Sequence, residues 1–216
     1  RTKTTLVVDA GDTIQANSAE LFLNDDVHPM IAAQNAIGYD VYVTGNHEWA
    51  HGNAVVEEIK TALREAGVTV LSNQCVPLER GGETIFIAGV DDPNGYADQK
   101  TPDALAREIY SAYDDPFWLL LAHRNNLFNS RYCRLGADLT FSGHAHGGIW
   151  RLPFPDGLVD TNLHLLPSFT SGFYHCNDVD CEGAEVFVSR GLGNSPKWAF
   201  RLFNRPQVAV ITLKKG

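Results

Sequence analysis

Mostly apolar runs recur along the chain at Thr4–Ala10, Tyr39–Thr44, Val68–Leu71, Thr84–Val90, Phe117–Leu121 and Leu139–Ser142. Short continuous runs of this kind predict strands that are covered on both faces, as in parallel sheets. Between them the period changes. Val55, Val56, Ile59 and Leu63 fall at helical spacing within Asn53–Ala66, and Gly67 stands where a helix would end. His28-Pro29 through Ile37 predicts another helix, closed by Gly38. Thr101-Pro102 predicts an N-cap and a first-turn proline opening a helix to about Tyr110, and Leu127–Leu135 predicts a short one. Strands and helices that alternate this way predict a layered α/β fold. After Trp150 the pattern loosens. Pro153, Pro155, Gly157, Pro167 and Gly172 punctuate an irregular stretch, followed by strand-like runs at Glu185–Ser189 and Gln207–Leu213. Residues 150–216 are expected to close a second sheet, so that 1–216 form a single domain.

Four of the apolar runs are followed at once by a polar cluster. These are Gly11-Asp12, Gly45-Asn46-His47-Glu48, Ala122-His123-Arg124 and Gly143-His144-Ala145-His146-Gly147-Gly148. Residues just past the carboxyl ends of strands converge on the ligand crevice of α/β sheets. One carboxylate, one amide oxygen and four imidazoles would meet there, a donor set suited to divalent transition metals. Taken singly, each cluster has a plainer account. Gly-Asp and Asn-His are common turn sequences, and a lone histidine at a strand end is more often packed in a core. Two histidines at i and i+2 among glycines are not explained by packing.

Taken in order, these motifs resemble those of the calcineurin-like metallophosphoesterases. Leu6–Gln15 and Ala36–Asp40 resemble 5′-nucleotidase-type phosphatases. From Val55 onward the chain is similar to compact bacterial phosphodiesterases related to lipid-precursor hydrolases, through Gly147-Gly148, Ser189–Gly193 and Arg201–Pro206. The resemblance implies a β-sandwich flanked by helices in four layers, α-β-β-α. It also implies a dinuclear centre of divalent Mn, Fe or Zn. Asp12 would bridge the two cations. Asn46, His123 and His144 would complete one position, and His146 would contribute to the other. Hydroxide generated at the metals would attack a phosphate ester, His47 would protonate the leaving oxygen, and Arg124 would contact a phosphate oxygen or form a surface ion pair. A phosphodiester is the favoured substrate class. The alternatives are a 5′-nucleotidase-type phosphomonoesterase and a non-catalytic scaffold with an incomplete metal site.

Two departures stand out. Nucleotidase-type relatives place an Asp three residues after the His of the Asn-His motif, where this chain has Ala50. The family also opens with an Asp-x-His pair before the Gly-Asp motif, and no histidine precedes His28. The expectation is that the strand carrying that pair is missing by truncation. The visible chain then encodes one complete metal position and half of a second.

The formal charge of −9 disfavours binding to a nucleic-acid polymer, while bound cations would keep the crevice locally positive. A small phosphate ester is the expected partner, with a lipid or membrane substrate left open. No apolar run is long enough to predict a membrane-spanning helix, and the location is left open between cytoplasm, export and anchoring. The four cysteines contain no C-x-x-C pair, so no cysteine zinc site is suggested. Cys176 and Cys181 are spaced for a small disulfide loop, but reduced thiols are the favoured reading.

Overall fold

The computed structural model describes residues 6–12, 38–80, 82–152, 157–160, 163–176, 181, 183–193 and 200–214. The chain runs β1 (Val8–Asp9), β2 (Val41–Tyr42), α1 (Asn46–Ala50), α2 (Asn53–Glu65), β3 (Thr69–Val70), β4 (Gln74–Arg80), β5 (Glu83–Val90), α3 (Pro102–Ala112) and β6 (Trp118–Ala122). It continues through β7 (Leu139–Ser142), β8 (Trp150–Arg151), β9 (Gly157–Val159), β10 (Gly172–His175) and β11 (Glu185–Val188), with 3₁₀ turns at Asn125–Leu127 and Tyr132–Leu135.

One sheet holds β1-β2-β3, all parallel. The other has the order β10-β11-β7-β6-β5-β4, in which β11, β7, β6 and β5 are parallel and the outer strands β10 and β4 are antiparallel to their neighbours. Alternation along the strands decides what each face covers. Ile87 and Leu121 of the larger sheet pack with Val41, Val43 and Leu71 of the smaller, so the two sheets form a sandwich. On its other face the smaller sheet offers Tyr42, Val68 and Val70 to Ile59 and Leu63 of α2. The larger sheet turns Phe86, Ala88, Trp118 and Leu120 toward Leu105, Ala106 and Ile109 of α3. The layers are therefore helix, sheet, sheet, helix.

The helix ends follow local chemistry. The Thr101 side chain accepts a bond from Ala104 N at 3.2 Å with Pro102 in the first turn, and Gly67 takes the left-handed φ of 85° that ends α2. Other expectations need correction. The 127–135 segment forms two 3₁₀ turns in place of a helix, and the 68–71 strand shortens to Thr69–Val70. Gln207–Leu213 joins no ladder, although alternate residues Ala209 and Ile211 pack on Leu119, Leu139 and Phe187. Its period marks which side chains turn inward but names no partner strand. β4 escapes the pattern because Pro77 interrupts it. As an outer strand it has a neighbour on one side only, so the missing N–H is tolerated. The predicted helix at 28–37 lies outside the described residues. Cys176 and Cys181 are bonded to each other, against the reading as free thiols, and buried Cys133 lies with its sulfur within 4.8 Å of theirs. The two cysteines lie in the stretch of chain that joins the antiparallel strands β10 and β11. None of the helices among the described residues is long and apolar enough to cross a membrane.

Candidate metal centre

The site draws on both sheets. Asp12 follows β1 and Asn46 follows β2, while His123 follows β6 and His144 follows β7, so the carboxyl ends of four parallel strands face one another. Close backbone approach makes this possible. A Cβ on Gly11 would stand 2.7 Å from the carbonyl carbon of Thr44, and one on Gly45 would run into the Asp12 carboxylate. Asp12, His144 and His146 carry φ values of 62°, 64° and 49°. Left-handed backbone is uncommon outside glycine and costs about 1–2 kcal/mol per residue. Its clustering on three candidate ligands is a mark of sites where aim outweighs local comfort.

His123 is the hub. Its Nδ1 lies 2.7 Å from the Ala10 carbonyl, which fixes the ring. Its Nε2 faces Asp12 Oδ2 at 2.9 Å, Asn46 Oδ1 at 3.1 Å and His144 Nδ1 at 3.2 Å. One ring nitrogen carries at most one proton and cannot serve three acceptors. Asp12 Oδ2 is buried, and His123 Nε2 is its ion-pair partner. Donor atoms around a tetrahedral cation with bonds near 2.0–2.1 Å stand about 3.3 Å apart. The spacing around Nε2 fits a divalent cation, which would satisfy all four atoms together.

The electrostatics agree. Burial opposes ionisation of Asp12, but the imidazoles of His123 and His47 outweigh it and hold the carboxyl well below its usual range. Burial likewise opposes the charge on His123, yet Asp12, the Ala10 carbonyl and Glu48 raise its pKa to about 9. Burial, aided by the charge of His123, pushes His144 down to about 3. His146 falls to about 4, mostly by burial. Two imidazoles are thus neutral with lone pairs to offer, and His123 carries a proton that a cation would displace.

No protein-family model matches the chain. Curated relatives do. An uncharacterised metallophosphoesterase of Aquifex aeolicus is 29% identical over 215 residues, covering 99% of this chain and 74% of the relative. The uncharacterised metallophosphoesterase YkuE of Bacillus subtilis is 29% identical over 214 residues, 96% of this chain and 65% of its own length. One from Helicobacter pylori is 30% identical over 152 residues, 70% of this chain and 36% of its own length. Along nearly its whole length the chain is thus similar to metallophosphoesterases. Solved structures repeat the fold. Haemophilus influenzae NAD nucleotidase superposes with a TM-score of 0.57 at 20% identity over 91% of this chain and 41% of its own. The Thermus thermophilus sulfate thiohydrolase SoxB gives 0.56 at 18% identity over 85% and 33%.

The remaining site residues are placed as follows. The backbone N–H of His47 donates to Asp12 Oδ1 at 2.9 Å, which puts its ring beside the bridge candidate. His146 is buried next to the hub, close enough for Asp12, His123 and His47 to act on its charge. Arg124 is bound in a fork by the fully buried Asp92 carboxylate, with Nε at 2.7 Å and Nη2 at 3.0 Å. The ion pair is therefore with the interior and not with the surface.

Three supporting residues were not singled out in the sequence. Glu48 Oε2 accepts from Asp12 N at 2.9 Å and from Gly45 N at 2.8 Å, lashing the two loops together. A Glu three residues after a helix cap is a capping-box signal that could have found it. Asp92 orients Arg124, and Asp91 anchors Thr44 through a bond of 2.6 Å to its hydroxyl. Those two pairings span 32 and 47 residues and leave no local signal.

Proposed function

We propose that the chain hydrolyses phosphate esters, phosphodiesters in preference to monoesters, at a centre held by Asp12, Asn46, His123 and His144. The observation that carries this is the crowding of three acceptors, the buried Asp12 Oδ2 among them, around the single nitrogen His123 Nε2. When bound there, a divalent cation supplies Lewis-acid polarisation of a phosphoryl oxygen and acidifies water near neutral pH. The side chains do the rest. Asp12 and the buried, neutral His146 are the groups available to a second cation. Arg124, oriented by Asp92, turns its remaining N–H groups to a phosphoryl oxygen. His47 holds the proton for the leaving oxygen. Preference for a diester is supported by the resemblance of the second half to compact phosphodiesterases and by Ala50 in place of the nucleotidase-type Asp.

The test is hydrolysis of an aryl phosphodiester and the matching aryl monoester by the metal-loaded protein and its His47→Ala variant. The diester should be the better substrate. His47→Ala should slow it about 10²–10⁴-fold with metal content retained, and a substrate with a very good leaving group should suffer less. Absence of metal-dependent turnover on either ester would overturn the reading.

A further inference from the structure

The Arg201–Pro206 stretch, which the proposed reaction leaves without a part, lies against the turn that carries His146. Leu202 bridges Trp150 in parallel, and its carbonyl accepts from Arg151 N at 2.9 Å. That register brings the buried Asn204 to residues 58 and 55 positions earlier in the chain. Its Nδ2 donates to the carbonyl of His146 at 2.6 Å and to that of Ile149 at 3.1 Å.

The turn needs such a clamp. Residues 146–149 all have left-handed backbone, with φ of 49° at His146, 71° at Gly147, 69° at Gly148 and 29° at Ile149. Glycine takes this region freely, but a histidine and a β-branched isoleucine hold it only where the surroundings impose it. Three carbonyls of the run are met by side chains from outside it. Asn204 serves those of His146 and Ile149, and Arg151 Nη1 donates to that of Gly147 at 3.0 Å. The approach is close, since a Cβ on Gly147 would run into Asn204 Oδ1. Both Asn204 bonds are buried, and a buried carbonyl left unmet is costly.

The other donors of the centre are held by different means. The Ala10 carbonyl fixes the His123 ring, and Glu48 ties the loops of Asp12 and Asn46 together. Gly143 N donates to the His123 carbonyl at 3.1 Å, which fastens the start of the His144 loop to the end of β6. None of these bonds involves residues 146–149. We propose that Asn204 is a positioning residue for the second cation. By clamping residues 146–149 in their left-handed form, it keeps the His146 ring beside the hub, where that ring is available to the second position. The role rests on the proposed metal centre, whereas the clamp itself needs no metal.

The test is calorimetric titration of chelator-treated protein with Mn²⁺. The first equivalent reports the position of Asp12, Asn46, His123 and His144, and the second reports the His146 side. Asn204→Ala should weaken the second equivalent about 10–100-fold, as for other groups that orient a ligand without touching the metal. Asn204→Asp, which keeps the shape but puts an oxygen where Nδ2 stood, should do the same. The first equivalent should stay within about twofold. His146→Ala should weaken the second equivalent at least as much, and adding Asn204→Asp to it should change nothing further, since both act through one contact. A side chain that only stabilised the fold would instead weaken both equivalents or neither, and that result would overturn the proposal. Should the Asn204 variants fail to fold, Gly147→Ala makes the same test, because its Cβ displaces the turn from Asn204 and should cause the same selective loss. A second equivalent bound by folded Asn204→Asp and Gly147→Ala as tightly as by wild type would overturn the clamp, as would a wild type that takes up no second equivalent. If the second equivalent depends on Asn204 but neither ester is hydrolysed, the clamp stands and the hydrolytic reading fails.

Discussion

Two buried polar clusters sit at neighbouring strand ends, and their hydrogen bonds are accounted for in opposite ways. Around Asp91 the accounts close. Oδ1 accepts from Thr44 at 2.6 Å, and Oδ2 accepts from Ser72 at 2.5 Å, Lys60 at 3.2 Å and Asn73 at 3.5 Å. Lys60 itself is buried, bonded to Ser72 at 2.6 Å and poised 4.8 Å from the Trp49 ring. Around His123 they do not close. Three acceptors, Asp12 Oδ2, Asn46 Oδ1 and His144 Nδ1, share one nitrogen. Both clusters hold a carboxylate, a cationic side chain and an amide. The satisfied one is a brace that locks Thr44, and with it the loop bearing Asn46 and His47. The unsatisfied one is the centre proposed above to take a cation. The protein interior tolerates buried charge for either purpose, and the unmet group tells them apart.

The sharpest way to break this comparison is to remove one member of each cluster. His123→Ala should abolish high-affinity metal binding and lower phosphodiester turnover by about 10³-fold or more, the loss of several kcal/mol of metal-derived stabilisation. Metal content and turnover, measured on the same preparation, check it; equal activity with retained metal would make His123 a structural histidine. Lys60→Met should act the other way round. It leaves Asp91 as an unpaired buried charge and should cost about 3–5 kcal/mol of folding stability, read from denaturant midpoints. The fraction that remains folded should still take up metal.

A pH series on metal-free protein sharpens the contrast further. His123 titrates near 9 when folded, above its ordinary 6.5. The stabilisation from its proton is complete below pH 6.5 and is lost as pH rises through 9. Asp12 is depressed below its ordinary 3.8, so its share is present above that value and is lost on acidification. Buried, neutral His144 and His146 act the other way: their share is present above pH 6.5 and is lost as pH falls toward 4 and 3. Stability should therefore peak near pH 6.5 and fall by a few kcal/mol toward pH 9. Asp12→Asn should flatten that decline. A wild-type profile with no slope between pH 6.5 and 9 would mean that the pair does not form in the absence of metal.

Glu48→Gln should have the smallest effect. The amide oxygen can replace only part of the charge-assisted acceptance from Asp12 N and Gly45 N, at a cost of about 1–2 kcal/mol in stability. Because Glu48 orients ligands without touching the cation, metal affinity should fall about 10–100-fold. A change in turnover with no change in metal affinity would place Glu48 nearer the chemistry than the structure does.

Much of the fold was legible in the sequence because its signals are local. The continuous apolar runs that form β5 and β6 told which strands are covered on both faces, Thr101-Pro102 and Gly67 marked helix limits, and the alternation of strands and helices told the layered class. The chemical character of the site was legible for the same reason, since each motif follows its own strand. The arginines show where that reading stops. Arg124 stands next to His123 and looked available, but Asp92 holds it. Arg201 carried no motif beyond a family likeness, yet it donates to the carbonyls of Arg190 and Gly193. The cysteines repeat the lesson: Cys133 reaches the Cys176–Cys181 pair across more than forty residues with no spacing to announce it.

The sequence alone determined the strands and helices set by short-range pattern, the layered α/β class and the kinds of atom placed at each strand end. Tertiary structure decided the partners. It alone chose Asp92 for Arg124, Asp91 for Lys60, one sulfur for another, and three acceptors on one nitrogen in place of a closed hydrogen-bond network around His123. Periodicity and capping act within a few residues, where the chain can be read in order. Pairing of side chains dozens of residues apart depends on how two sheets stack and which strand ends come together, and that geometry belongs to the folded whole.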